Sequence, residues 1–409
     1  MRVALCTAAA AAAAFAFLSI APTNSYAQGT ASGAQTTPSV RHEDKKRETN
    51  DIAVAIVVSG LSCTCARFAE DIRNVVNDLR PGGLRVLPVL GVGGLQTLND
   101  VLFLRGMDMG VVDVDHLAGM KRTDPALDAN IEQRVQYIAK LYNSEFHVVA
   151  RNDIRTYNDL RGKKVNFNLK DSGSDVTADN IFNIMGLDVQ RSYYDNDEAI
   201  KKLLAGEISA MIVLTGAPQS GLAKLKSSDG VHFLPFDEAT IPKHISAKLL
   251  TDYLPTSLTH EQYPGLVGQG ESVPTIANRS LLAVYAWPED TERYRRLAKF
   301  VHKFFDSIDK FHDASRHPKW KEINLAADIP GWTRFKPAQE WLAQHKPPVM
   351  ASGASGTGDD IRTAFDVFMG ENGKRGKPLS TKEREALFAQ FIQYWKTKNG
   401  QPPQQQSLR

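Results

Sequence analysis

Hydrophobic and polar positions fall into two rhythms along most of the chain. Ile52 to Val58 is an unbroken apolar run, the pattern of a strand buried on both faces. Phe68, Ile72, Val75, Val76 and Leu79 then recur at helical spacing, and Pro81-Gly82-Gly83 ends that helix. Leu84 to Leu90 reads as the next strand and Gly91-Val92-Gly93-Gly94 as a strand-to-helix turn. Leu95 to Arg105 predicts a helix and Met109 to Val114 a third strand. This βαβαβ order is the signature of a doubly wound parallel sheet.

A second cycle follows a stretch that reads as helical over Ile131–Ala139. Glu145–Ala150 predicts a strand, Tyr157–Leu160 a short helix, Val165–Phe167 a strand and Val176–Met185 a helix. A helix over Glu198–Leu204 and strands over Ala210–Leu214 and Val231–Pro235 continue the pattern. Arg279–Tyr285 reads as a strand that returns the chain to the first half, and Thr291–Asp309 as an amphipathic helix. The expected fold is α/β, with two doubly wound α/β lobes joined by hinge strands. Lobe I takes residues 51–146 plus 270–345, and lobe II takes 147–269. Ligands of open α/β sheets sit beyond the carboxyl ends of the strands, so two such lobes would hold a small molecule in the cleft between them.

The two ends break this rhythm. Arg2, the apolar run Val3–Ile20 and the small-x-small triplet Ser25-Tyr26-Ala27 predict a signal peptide over 1–27, cleaved after Ala27, and a periplasmic protein. Residues 28–50 lack hydrophobic periodicity and predict a disordered lead-in. Residues 346–409 read as a linker and helical C-terminal extension: Ala351–Gly358 is flexible in composition, and Asp360–Met369 predicts one helix. Ser380-Thr-Lys-Glu383 is a capping box that opens another. Leu387, Phe388, Phe391, Ile392 and Trp395 give that last helix an apolar stripe suited to packing on the main body, or to docking another protein.

Composition narrows the function. The 409 residues carry a formal net charge of +3, with 42% hydrophobic and 23% charged residues, values of a soluble globular protein. No Lys/Arg-rich run interleaved with aromatics is present, which argues against nucleic acid as a partner. After export two cysteines remain, Cys63 and Cys65; they could close a small ring, pair with another chain or stay as thiols. A zinc site needs two further ligands at suitable spacing, and neither they nor the scattered histidines supply one. The motifs of a nucleophile elbow, a phosphate loop and a zinc-protease helix are all missing. Neither a cofactor nor enzymatic activity is expected.

Four loops that follow strands carry the candidate chemistry. Ser59, Gly60, Ser62, Cys63 and Thr64 precede the first helix, and Ser172, Gly173, Ser174 and Asp175 open a helix in the second half. Thr215, Gly216, Ala217 and Pro218 form the third loop. Small residues allow close backbone approach, and N–H groups at a helix start favour an anion, although Ser, Thr and Asp also serve as plain helix caps. The fourth loop is Asp113-Val114-Asp115-His116. If strand alternation continues there, Asp113 and Asp115 point the same way. They would then hold an ammonium group or a cation; otherwise one caps the next helix and the other pairs with a nearby base.

The order of segments resembles the TAXI family, the TRAP-transporter-associated solute receptors of the type II periplasmic binding fold. The residues that carry the resemblance are Gly106–Val112, Phe146–Ala150, Asp159-Leu-Arg-Gly-Lys-Lys-Val165 and Ser172-Gly-Ser174. Ala199–Ile212, Thr215-Gly-Ala-Pro218 and Tyr263-Pro-Gly265 before Val273-Pro-Thr275 complete the set, spread over about residues 52–345. The resemblance implies a monomeric receptor that closes on a small organic ligand, such as an amino acid or a carboxylate, and delivers it to TRAP-type permease subunits. It carries ligand contact onto Ser59–Thr64, Asp113, Ser172, Ser174 and Thr215–Pro218. The chain departs from the family's pattern in its first loop, Ser59-Gly-Leu-Ser-Cys-Thr-Cys-Ala66, which replaces a glycine-dense one. A second departure is Asp113, where the family places a neutral polar residue, and a third is Phe335-Lys-Pro-Ala-Gln339. The extra negative charge implies a different or more cationic ligand. Two other roles fit the same pattern less directly. One is a periplasmic sensory or interaction subunit for a membrane receptor; the other is an enzyme using Asp113, Asp115 and Cys63.

Overall fold

A computed structural model describes residues 38–80, 82–123, 130–237 and 241–345. The expected signal peptide and the C-terminal linker and helices lie outside the described residues. The chain clusters into two compact units, Met1–Lys46 and Arg47–Arg409. The described part of the first is helical and belongs to α1 (Pro38–Asp51), so the second part of the expected disordered lead-in is a helix. Its described side chains, 40–51, are all exposed. With no apolar stripe to bury, α1 rests on local pairs such as Lys46–Glu43, 3.7 Å apart.

The second unit begins with β1 (Ala53–Val58), α2 (Thr64–Val76), β2 (Arg85–Leu90), α3 (Gly94–Phe103) and β3 (Met109–Asp113). Next come α4 (His116–Thr123), α5 (Ile131–Arg134), β4 (Val135–Arg151), β5 (Lys164–Asn166), α6 (Gly173–Met185) and β6 (Gln190–Ser192). They are followed by α7 (Asn196–Leu204), β7 (Ala210–Thr215), β8 (Val231–Phe233), α8 (Lys243–Asp252) and β9 (Leu254–Thr259). The last elements are β10 (Ser272–Tyr285), α9 (Glu292–Asp306), β11 (Thr333–Arg334) and α10 (Lys336–Gln344).

The strands run in the order β2-β1-β3-β10-β4-β7-β5-β6, with β8 and β11 on β4 and β9 on β10. At one end β2, β1 and β3 are parallel, and at the other β7, β5 and β6 are parallel. Between them β4 and β10 pair antiparallel from Glu145 and Ala277 to Val135 and Tyr285. These two long strands belong to both lobes, so the chain crosses between lobes along β4 and returns along β10. Two α/β lobes are joined in this way through two shared strands.

Each lobe is covered on both faces. In the first, Phe68 and Ile72 of α2 meet Phe300 and Phe304 of α9 and Trp320, all fully buried, while Leu95, Leu98 and Leu117 cover the opposite face. In the second, Ile181 and Phe182 of α6 and Leu249 of α8 pack under one face, and Ala199 and Leu203 of α7 under the other.

One expectation fails clearly. Ile131–Ala139 reads as helical, but the helix stops at Arg134 and Val135 starts a 17-residue strand. Polar residues at Lys140, Asn143, Ser144 and Glu145 break the apolar pattern from which a strand would be recognised, yet all four are buried there. Their partners come from segments far away in sequence. Ser144 Oγ meets Ser280 Oγ at 2.8 Å, and Glu145 binds Lys319 and accepts from Ala217 N at 2.7 Å. Strands β6 and β9, and the first half of β10, are likewise structure that the sequence pattern does not announce.

Candidate ligand-binding site

Four helix N-termini converge on the gap between the lobes, because each follows the carboxyl end of a strand or the loop beyond it. They are Cys63 before α2, Gly93 before α3, Ser172 before α6 and Asp195 before α7. Ser172 Oγ accepts from Asp175 N at 3.3 Å and Asp195 Oδ1 from Glu198 N at 2.9 Å, while Gly93 offers no side-chain cap. Unsatisfied N–H groups and the helix dipole make such ends favourable places for negative charge.

A cavity of about 110 Å³ lies among them. Of the residues singled out from sequence, Ser59, Gly60, Ser62, Cys63, Asp113, Ser172, Ser174 and Thr215 border it. Thr64, Asp115, Asp175, Gly216, Ala217 and Pro218 do not. Cys63 and Cys65 are joined in a disulfide that also borders the cavity, which resolves the three readings of that pair.

The residues outside the cavity have other partners. Thr64 N donates to Thr215 Oγ1 at 3.2 Å, and Thr64 Oγ1 donates to Gly216 O at 2.7 Å. These bonds tie the start of α2 in one lobe to the end of β7 in the other. Asp175 Oδ2 accepts from Asp171 N at 2.9 Å, and burial raises its carboxyl above the usual range. Ala217 N is held by Glu145, and Pro218 follows through a cis peptide.

Strand β3 ends at Asp113 and the chain turns before α4, yet Asp113 Oδ2 and Asp115 Oδ1 both approach His116 Nε2, at 3.5 and 3.8 Å. Asp115 Oδ2 accepts from Thr177 Oγ1 at 2.9 Å and from Tyr253 Oη at 2.8 Å, both in the second lobe. Its Oδ1 accepts from Asn278 Nδ2 at 2.6 Å. Asp115 therefore fastens the lobes together. Other bonds across the gap are Leu95 N to Asp171 O at 3.1 Å and Asn196 Nδ2 to Ser62 Oγ at 3.1 Å, so the structure is in a closed form. Glycine makes this closure sterically possible. Gly94 has φ +56°, and a Cβ there would lie 2.3 Å from Asp171 O and 2.5 Å from the Ser172 carbonyl carbon.

Asp113 remains in the cavity wall. Burial raises its carboxyl above the ordinary carboxylate range, against the pull of His116 and of the hydroxyl of Ser280, which donates to Oδ1. His116, buried and bordering the cavity, is a residue that the sequence offered only as the end of the acidic loop. Its Nδ1 accepts from Asp113 N at 3.1 Å, which leaves Nε2 to carry the proton of the neutral ring. Nε2 has no hydrogen-bond partner, at 3.5 Å from Asp113 Oδ2 and 3.8 Å from Asp115 Oδ1. Ser174 Oγ accepts from Leu214 N at 2.9 Å, which leaves its O–H available to a ligand. Ser144, Asn168 and Asn196 add further polar groups to the wall. No lining residue among those described is Lys or Arg. Among the described residues there is also no group of three His, Cys, Asp or Glu placed to hold a metal ion.

A larger cavity of about 540 Å³ lies on the first lobe beside Tyr137, Ile329, Trp332 and Arg334. Its cation is already engaged: Arg334 donates to Leu325 O and Ala327 O and stacks over Tyr137. The interlobe cavity has the convergent polar groups that fix a small ligand.

Several solved structures are similar to the chain at low identity. An ancestral arginine-binding protein bound to arginine is 13% identical, over 64% of this chain and 96% of that one, with a TM-score of 0.37. A TctC solute binding protein from Polaromonas is 14% identical, over 63% and 88%, with a TM-score of 0.34. The regulatory domain of CcmR from Synechocystis PCC6803, in complex with 2-PG, is 15% identical, over 61% and 95%, with a TM-score of 0.37. No curated protein matches the chain. Residues 107–330, more than half of the chain, match the NMT1-like family, and the chain belongs to that family.

Proposed function

We propose that the protein is a periplasmic, non-enzymatic solute-binding protein. It captures a small polar organic ligand of the amino acid or carboxylate class in the interlobe cleft and delivers it to a TRAP-type membrane permease. The observation that carries this reading is the cavity between closed lobes, where four helix N-termini, Asp113 and His116 converge. Closure bonds such as Thr64–Thr215 and Asp115–Tyr253 form only when the lobes meet, so a ligand that bridges both lobes shifts the population toward the closed form. The proposed ligand contacts are those of the singled-out residues that border the cavity, with Thr64, Asp115 and the 216–218 loop acting as closing contacts.

A thermal-unfolding screen of protein beginning at Gln28 tests this reading, against amino acids, monocarboxylates, dicarboxylates, polyamines and sugars. A ligand at 100 times its dissociation constant adds about 2.7 kcal/mol, a shift of a few degrees for a protein of this size. No shift with any member of the panel would count against solute binding and favour a sensory or interaction role.

A further inference from the structure

Resting on the solute-binding reading, we infer that the cleft selects a small zwitterion with one ammonium and one carboxylate, and rejects dicarboxylates. The Asp, Glu, His, Lys and Arg side chains in the cavity wall are Asp113, Asp195 and His116 alone among the described residues. Asp195 is occupied as the cap of α7, its Oδ1 accepting from Glu198 N. Asp113 spends Oδ1 on Ser280 and keeps Oδ2 for a donor. A ligand ammonium meets that need, because a buried carboxylate gains most from an opposite charge at hydrogen-bond distance.

The second observation is independent of the acidic residue. His116 Nε2 is buried, bears the ring proton because Nδ1 is an acceptor, and has no hydrogen-bond partner, with Asp113 Oδ2 at 3.5 Å and Asp115 Oδ1 at 3.8 Å as its nearest acceptors. A buried donor left unpaired is costly, and a ligand oxygen would satisfy it. His116 and Asp113 lie 3.5 Å apart (Nε2 to Oδ2), the spacing of a donor and an acceptor read together by one small molecule. The converging helix starts supply positive potential for a single carboxylate. A second carboxylate would find no Lys or Arg in the wall and would meet the buried carboxylate of Asp113. Size agrees: about 110 Å³ is small beside the roughly 300–1,000 Å³ of sites for drug-sized ligands, and a short amino acid suits it.

Titration calorimetry on protein beginning at Gln28 separates the possibilities, with glycine, L-alanine and L-serine against succinate and L-glutamate. The inference expects at least tenfold tighter binding of one or more of the first three. Asp113→Asn should weaken that binding at least tenfold while leaving the unfolding midpoint within a few degrees. Succinate or glutamate binding as tightly as the short amino acids would overturn the inference and leave the solute-binding reading standing. Heat from none of the five, together with an unresponsive thermal screen, would overturn both. The comparison among ligands uses the unaltered protein, so misfolding of a variant cannot decide it.

Discussion

Lys319 is buried between Glu145 and Glu322, where burial opposes its charge and the two carboxylates outweigh that penalty and raise its pKa. Glu145 in turn holds Ala217 N, so one ion pair anchors a closing loop to β4. Lys319→Met strands the buried carboxylate of Glu145 and the half-buried one of Glu322, and should cost about 3–5 kcal/mol in urea unfolding. A loss below about 1 kcal/mol would show the pair to be dispensable. His147 gives a pH signature. Its Nδ1 faces the Glu145 and Val213 carbonyls, its Nε2 accepts from Tyr263 Oη at 2.7 Å, and burial lowers its pKa from 6.5 to about 4. The unfolded chain therefore binds a proton between those values that the folded chain does not, and stability falls as pH drops from about 6.5 to about 4. The loss reaches roughly 3 kcal/mol at the acid end, and His317, also lowered to about 4 by burial, adds in the same direction. Unfolding free energies at pH 7 and pH 4.5 should show a weaker acid dependence in His147→Asn than in the parent. At this scale the sequence pointed to loops that border the cleft, because small residues between a strand and a helix let the backbone approach closely, but it did not separate cavity-lining residues such as Ser62 from tying ones such as Thr64. It did not reveal His116, whose role depends on which ring nitrogen its own loop engages. It placed Asp115 beside Asp113, where both approach His116, but not its bonds to Thr177 and Tyr253 of the second lobe, which lie beyond any local window.

At the scale of elements, closure depends on how near α3 of one lobe comes to the start of α6 in the other. Gly94 sits at that approach with a positive φ and no room for a Cβ. Gly94→Ala should hold the lobes apart and weaken ligand binding at least tenfold, about 1.4 kcal/mol, in the same titration. The positive φ adds a stability cost of about 1 kcal/mol, so an unfolding curve run alongside separates strain from impaired closure. Unchanged affinity would mean that the lobes need not approach this closely. Strands β1, β3 and β7 were legible because their apolar runs are buried on both faces. The first part of strand β4, before the predicted Glu145–Ala150, was not, since Lys140, Asn143 and Ser144 sit where a buried strand is normally apolar. The partner of Ser144 at Ser280, and those of Glu145 at Lys319 and Ala217, are invisible to any local window.

At the scale of the whole molecule, two α/β lobes share β4 and β10, and each lobe has a core of its own on both faces of its sheet. Such a molecule can change the angle between its lobes by adjusting two strands, leaving both cores intact. The two-lobed plan was readable from the repeated βα rhythm, and the order of the resembling segments pointed to the same fold. The central claim is that a solute binds between the lobes and holds them closed. Hydrogen exchange of protein beginning at Gln28, with and without saturating L-alanine, tests it most directly. The account predicts slowed exchange at the starts of α2, α3 and α6 and through Thr215–Gln219, with little change in the helices far from the cleft. Calorimetric binding of alanine with no protection in those four segments would place the ligand elsewhere and contradict the account.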